Sequence, residues 1–147
     1  MEINTRYPVQ CENDVAWGEQ DALGHVNNTV YFRYFENARI RHFLEMGMPM
    51  PQPGNQAEGP ILASTRCDFL RPLTYPDRVR TEIGVSRIGT SSFTHLYRIY
   101  SCSQQTWVAR GESVTVYYDY VKGTSTPLPA DLRRSLLVLE GVHDGSA

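Results

Sequence analysis
From the N-terminus, the first sustained hydrophobic pattern is Val30-Tyr31-Phe32-Arg33-Tyr34-Phe35, apolar on nearly every side of a helical projection. Glu36, Arg39, Arg41, His42 and Glu45 then alternate with apolar positions and make the second half amphipathic. The run predicts a helix from about Val30 to Met46, with Gly47 as its C-cap and Pro49 just beyond. About seventeen residues at a 1.5 Å rise make a rod of roughly 26 Å. A helix apolar on most of its sides has to be wrapped by other elements.

Beyond a Pro/Gly-rich stretch from Pro49 to Pro60, which reads as loop, the period changes from helical to two. Ile61–Leu70, Arg78–Ile88, Phe93–Cys102 and Trp107–Tyr118 are dense in β-branched and aromatic residues. Arg71-Pro72, Gly89-Thr90 and Ser103-Gln104-Gln105-Thr106 separate them. Ser113-Val114-Thr115-Val116-Tyr117 alternates strictly, which gives one buried face and one wetter face, as in antiparallel sheets. An opening strand falls around Tyr7–Ala16. A short C-terminal helix begins near Pro129-Ala130-Asp131, with Leu132, Leu136 and Leu139 on one stripe. The order predicts a single α+β domain over residues 1–147, an antiparallel five-stranded sheet curled around one central helix. Such a sheet has two free edges, so edge pairing in a homodimer is expected.

Composition narrows the class of partner. Of 147 residues 41% are hydrophobic and 20% charged, the profile of an ordinary globular protein, and the formal net charge is −2. That charge lacks the basic footprint nucleic acid or anionic membrane requires. The longest apolar run, Leu136-Leu137-Val138-Leu139, is far short of the roughly twenty residues of a membrane span. Met1-Glu2-Ile3-Asn4-Thr5-Arg6 has no signal-peptide apolar stretch, and the chain reads as cytoplasmic. Cys11, Cys67 and Cys102 are widely spaced and odd in number, which fits reduced thiols. The four histidines, His25, His42, His95 and His143, lack metal-ligand spacing, so no metal is expected.

The chemistry concentrates in the segment joining the first strand to the helix, Val15 to Phe32. Asp21 is delivered there beside a helix N-terminus, where unpaired backbone N–H groups can hold an oxyanion or polarise a carbonyl. A carboxylate next to an oxyanion site is a hydrolytic arrangement. Trp17-Gly18-x-x-Asp21-x-x-Gly24-His25-Val26-Asn27-Asn28-x-x-Tyr31-Phe32-x-Tyr34-Phe35-Glu36-x-Ala38-Arg39 resembles the hotdog-fold acyl-CoA thioesterases of the 4-hydroxybenzoyl-CoA thioesterase type. Asp68-Phe69-x-x-Pro72, Gly89-x-Ser91-Ser92 and Leu128-Pro129 extend the likeness over most of the chain. Position 19 departs from it, with Glu where many relatives carry Asp.

The resemblance implies a hotdog fold and acyl-CoA hydrolysis without a cofactor, coenzyme A being part of the substrate. Asp21 becomes the catalytic carboxylate, either nucleophile through a mixed anhydride or general base on water. The backbone N–H of Asn28 becomes the oxyanion donor, with Asn27 or Asn28 also the helix N-cap. An Asx turn at Asp21-x-x-Gly24 is the structural alternative. His25 is a candidate general base, or else a packed loop residue. Glu36 is a candidate second carboxylate, or else an i,i+3 partner of Arg39. Gly24, Val26, Trp17, Tyr31, Tyr34 and Phe35 are expected to surround the acyl group. Arg71 and Arg87, with Gly89 and Ser91, are the candidate contacts for the CoA nucleotide.

A short or medium acyl group is the main expectation. Aromatic rings with Glu19 and Glu36 nearby would also suit a cationic, betaine-type acyl group. The fold also leaves open a hydratase or dehydratase using His25 with Asp21, and a non-catalytic acyl-CoA-binding protein. A homodimer or a dimer of dimers completes the expected assembly.

Overall fold
The computed structural model describes residues 1–48, 54 and 57–142. Most of the predicted Pro49–Pro60 loop lies outside the described residues. The elements are β1 (Val9–Asp14), α1 (Asn28–Glu45), β2 (Glu58–Phe69), β3 (Arg78–Ile88), β4 (Ser92–Ser101), β5 (Thr106–Asp119), a two-residue β6 (Thr124–Ser125) and α2 (Ala130–Leu139). The five long strands form one antiparallel sheet in the order β1-β3-β4-β5-β2, with β6 paired to the end of β5. The predicted five-stranded sheet around a central helix is therefore present. β2 begins three residues early and takes in Glu58, Gly59 and Pro60, since its partner β5 runs on to Asp119.

α1 lies against the inner face of the sheet. Tyr31, Tyr34, Phe35, Ala38, Arg39, His42 and Phe43 are its buried residues, an i, i+3, i+4 stripe that passes unbroken through two polar positions. The helix can come this close because β5 carries Gly111. A Cβ there would stand 2.4 Å from the Phe35 ring and 2.6 Å from the Arg66 carbonyl oxygen. Phe35 stacks on Tyr97 at 4.4 Å between ring centroids. At its C-terminus α1 closes with Gly47 at φ +73°, where the Met48 N–H donates to Phe43 O and the Gly47 N–H to Leu44 O.

The alternation in β5 is present, and the structure gives it its sense. Ser113, Thr115 and Tyr117 face inward and are buried, while Val114 and Val116 lie on the outer face. The inward Ser/Thr row meets the polar stretch of α1: Arg39 donates to the Tyr97 hydroxyl at 3.1 Å, and Tyr97 shares a 2.6 Å hydrogen bond with Ser113. Beside them the His95 and His42 rings meet edge-on, Nε2 to Nδ1 at 3.2 Å. Burial lowers both imidazoles, His42 to about 4, so the pair is neutral at ordinary pH.

α2 covers the other end of the sheet through Leu136. Its C-cap, Glu140, accepts hydrogen bonds from the Arg6 and Val85 backbone N–H groups.

Candidate active site
The segment between β1 and α1 is a closed loop held at its neck. The Ala16 N–H donates to Glu19 Oε1 at 2.6 Å, the Asn27 N–H to Glu19 O at 2.9 Å, and Gln20 bridges to Val26. The Val26 N–H donates to Leu73 O at 2.8 Å, tying the loop to the segment after β2. Glu19, the departure noted in the sequence, is thus a structural clamp on the loop.

At the loop's tip the Leu23 N–H donates to Asp21 Oδ1 at 2.9 Å and the Gly24 N–H to Asp21 O at 3.0 Å. Gly24 takes φ +79°, a conformation that suits glycine. This is the Asx turn that the sequence offered as the alternative to catalysis. It engages one carboxylate oxygen and leaves the other, on an exposed residue, available.

Asn27 is the N-cap of α1, and its Oδ1 accepts from both the Thr29 N–H (3.0 Å) and the Thr29 hydroxyl (2.8 Å). The Val30 N–H is taken by Asn27 O. The N–H of Asn28, the first helical residue, has no acceptor among the described residues, as expected for a helix's first turn.

Asp21, His25, Val26, Asn27, Asn28 and Tyr31 line one side of a cavity of about 580 Å³, and Phe69, Leu70, Arg71 and Pro72 the other. Tyr31 joins the two sides. Its hydroxyl accepts the Leu73 N–H at 3.2 Å, and its ring meets Phe69 edge-on at 4.9 Å. The cavity thus has an apolar wall, a carboxylate, a free helix N–H and one cation, Arg71, at its rim. Leu70 was not assigned from the sequence; Phe69 and Pro72 stood in the Asp68-Phe69-x-x-Pro72 block, which was the signal for this wall.

Other expected contacts are placed elsewhere. Tyr34 and Phe35 are in the core, because positions three and four residues on from Tyr31 continue the buried stripe. Trp17 is 72% exposed and does not line the cavity. The aromatic cage read for a cationic acyl group is therefore not assembled. Glu36 opens on a second cavity, and its i,i+3 pairing with Arg39 is absent because Arg39 turns inward to Tyr97. Arg87 pairs with Glu2 at 3.7 Å, and Gly89 accepts from Arg133 of α2 at 2.7 Å. Arg87 sits in the last residues of β3 and Gly89 and Ser91 in the turn after it, about ten residues or 33 Å from the strand's start near the cavity. One protomer does not bring them to Asp21.

Burial pushes the Cys67 thiol to about 12, which makes it unfit as a nucleophile at neutral pH. Among the described residues no cluster of three His, Cys, Asp or Glu side chains could hold a metal ion, and no helix is long and apolar enough to cross a membrane.

The sequence model of the thioesterase-like superfamily matches residues 15–136, a span that contains the cavity and all of the sheet except β1. The chain belongs to this superfamily. Its fold is the hotdog fold of thioesterases. A thioesterase from Thermus thermophilus, solved in complex with coenzyme A and Zn, is 31% identical, with 92% of this chain and 97% of that one covered and a TM-score of 0.79. A thioesterase-superfamily protein from Jannaschia is 25% identical, over 90% of this chain and 83% of that one, with a TM-score of 0.79. Bacillus subtilis YsmA is 35% identical over 97 residues, 66% of this chain; the match spans 64% of its length.

Proposed function
We propose that this superfamily member is an acyl-CoA thioesterase that releases a short or medium acyl group as the free acid. The observation that carries the reading is the convergence, on one cavity, of the Asp21 carboxylate and the unengaged Asn28 N–H at the start of α1. The thioester carbonyl oxygen sits against Asn28 N–H and the adjoining helix dipole, which stabilise the negative charge of the tetrahedral intermediate. Asp21, acting as general base, takes a proton from water as the water attacks the carbonyl carbon. Collapse then breaks the C–S bond, and the CoA thiolate recovers the proton. Attack by Asp21 itself, through a mixed anhydride that water then opens, uses the same geometry. His25 lines the cavity as an auxiliary proton carrier, and no cofactor is required.

Arg71 offers the cavity's own cation for the CoA phosphates. Arg87, Gly89 and Ser91 contribute only from a second copy, and β2 supplies the surface for one. It is a twelve-residue outer strand that leaves Ile61, Leu62 and Phe69 exposed, and edge pairing would cover them in a homodimer or a dimer of dimers. The three free thiols suit a reducing cytoplasm.

The test is thiol release from an acyl-CoA panel by wild type and Asp21→Asn. Turnover lost in the variant supports the reading; turnover that survives removes Asp21 from the chemistry. After single turnover in ¹⁸O-water, label in Asp21 identifies an anhydride opened by water at the Asp21 carbonyl, since general-base hydrolysis labels only the product acid.

A further inference from the structure
The catalytic cavity does not end the groove between α1 and β2. Farther along the same two elements lies a second cavity of about 230 Å³, bordered by Arg33, Glu36 and Arg39 of α1 and by Leu62 and Thr65 of β2. Arg39 is 8% exposed, and among the described residues its side chain makes one hydrogen bond, to the Tyr97 hydroxyl. It also borders this cavity, with guanidinium donors to spare. Among the described residues none of Arg33, Glu36 and Arg39 takes part in an ion pair, so the cavity holds two cations against one carboxylate. A buried guanidinium engaged in no ion pair is costly, and an anion held by its planar fork offsets that cost.

The position along the helix fits a ligand that begins in the first cavity. Arg33 lies about 8 Å, and Arg39 about 16 Å, along the axis from Asn28, with helical side chains leaning back toward the N-terminus. We infer that the second cavity binds the distal carboxylate of the acyl group, so that the preferred substrates are acyl-CoA thioesters of dicarboxylic acids. This rests on the thioesterase reading above and reverses the sign of the charged acyl group suggested by the sequence.

Hexanoyl-CoA and adipyl-CoA share a chain length and differ in the terminal carboxylate; a betaine-type acyl-CoA supplies the opposite charge. Wild type is expected to favour adipyl-CoA over hexanoyl-CoA at least tenfold in kcat/KM, chiefly through KM. Both Arg39→Met and Arg33→Gln lower that ratio, and Arg33→Gln, on an exposed position, keeps the test alive where the buried change impairs folding. A ratio near one, a preference for the cationic substrate, or a ratio that neither substitution moves overturns the inference. So does an unmoved ratio together with loss of the oligomer, which makes the cavity a contact between copies. Binding of the same two CoA esters to Asp21→Asn, measured by calorimetry, gives the ratio without turnover. Absent turnover with retained adipyl selectivity defeats the hydrolytic reading and spares this one.

Discussion
The two halves of α1 carry polar groups to opposite ends. In the first turn Asn28 leaves a backbone donor open beside an exposed carboxylate, and the structure spends a cap, an Asx turn and the Glu19 clamp on holding them there. Three turns on, Arg39 and His42 are buried against Tyr97, Ser113 and His95. One half keeps hydrogen-bonding capacity unused where a substrate can reach it. The other turns its polar groups inward, toward Tyr97 and His95, though His42 Nε2 and His95 Nδ1 have no partner among the described residues. One helix therefore borders an open cavity at one end and forms polar core at the other, and substitutions in the two halves should report on different quantities.

The largest effect is expected at the open end. Asp21→Asn keeps the side-chain shape and an acceptor for Leu23 N–H but removes the base, so kcat should fall about 10²–10⁴-fold. Thermal stability should stay within about 0.5 kcal/mol of wild type. A parallel loss of stability would mean the two halves are not separable.

The buried histidine pair should answer to pH. Both imidazoles have folded-state pKa values below the usual 6.5, His42 at about 4, so their neutral burial contributes stability that is complete above about pH 6.5 and is lost as pH falls toward 4. Arg39 is the nearby cation that adds to burial in lowering His95; Phe43, Phe93 and Tyr97 supply the other facing rings. The double replacement His42→Leu, His95→Leu should flatten Tm against pH over that interval. An unchanged slope would assign the acid sensitivity elsewhere.

Gly111→Ala tests how closely α1 must sit on the sheet. The added Cβ meets the Phe35 ring and the Arg66 carbonyl, and overpacking of this kind costs about 1–3 kcal/mol, read as a lower urea midpoint. Asn27→Ala should be mildest. Loss of the cap costs about 1 kcal/mol in stability. Because the freed Thr29 N–H lies next to Asn28, a change in KM larger than that in stability would show that the cap also tunes the carbonyl site.

Much of this was legible beforehand. The extent of α1, all five long strands, and the Asp21 and Asn28 pair could be read from periodicity, turn residues and the Trp17–Arg39 pattern. Boundaries moved by a few residues where a strand followed its neighbour, as β2 followed β5. What escaped was direction. The alternation Ser113–Tyr117 predicts two faces without saying which is inside, and the Ser/Thr face went in because Tyr97, Arg39 and His95 were there to meet it. Tyr31, Tyr34 and Phe35 were equivalent as aromatic neighbours of a site; only the packing of α1 sent the first to the cavity and the other two to the core.

By itself, then, the amino-acid sequence determined which segments are helix and strand and which loop brings Asp21 beside the start of α1, because those depend on local spacing and on groups a few residues apart. The tertiary structure decided which face of each element is buried and that Arg39 abandons Glu36 for Tyr97. It also decided that the Arg87–Ser91 turn is out of reach of Asp21 within one chain. Those outcomes depend on contacts between residues distant in sequence, where a single close approach such as Phe35 on Gly111 sets the depth and rotation of the whole helix.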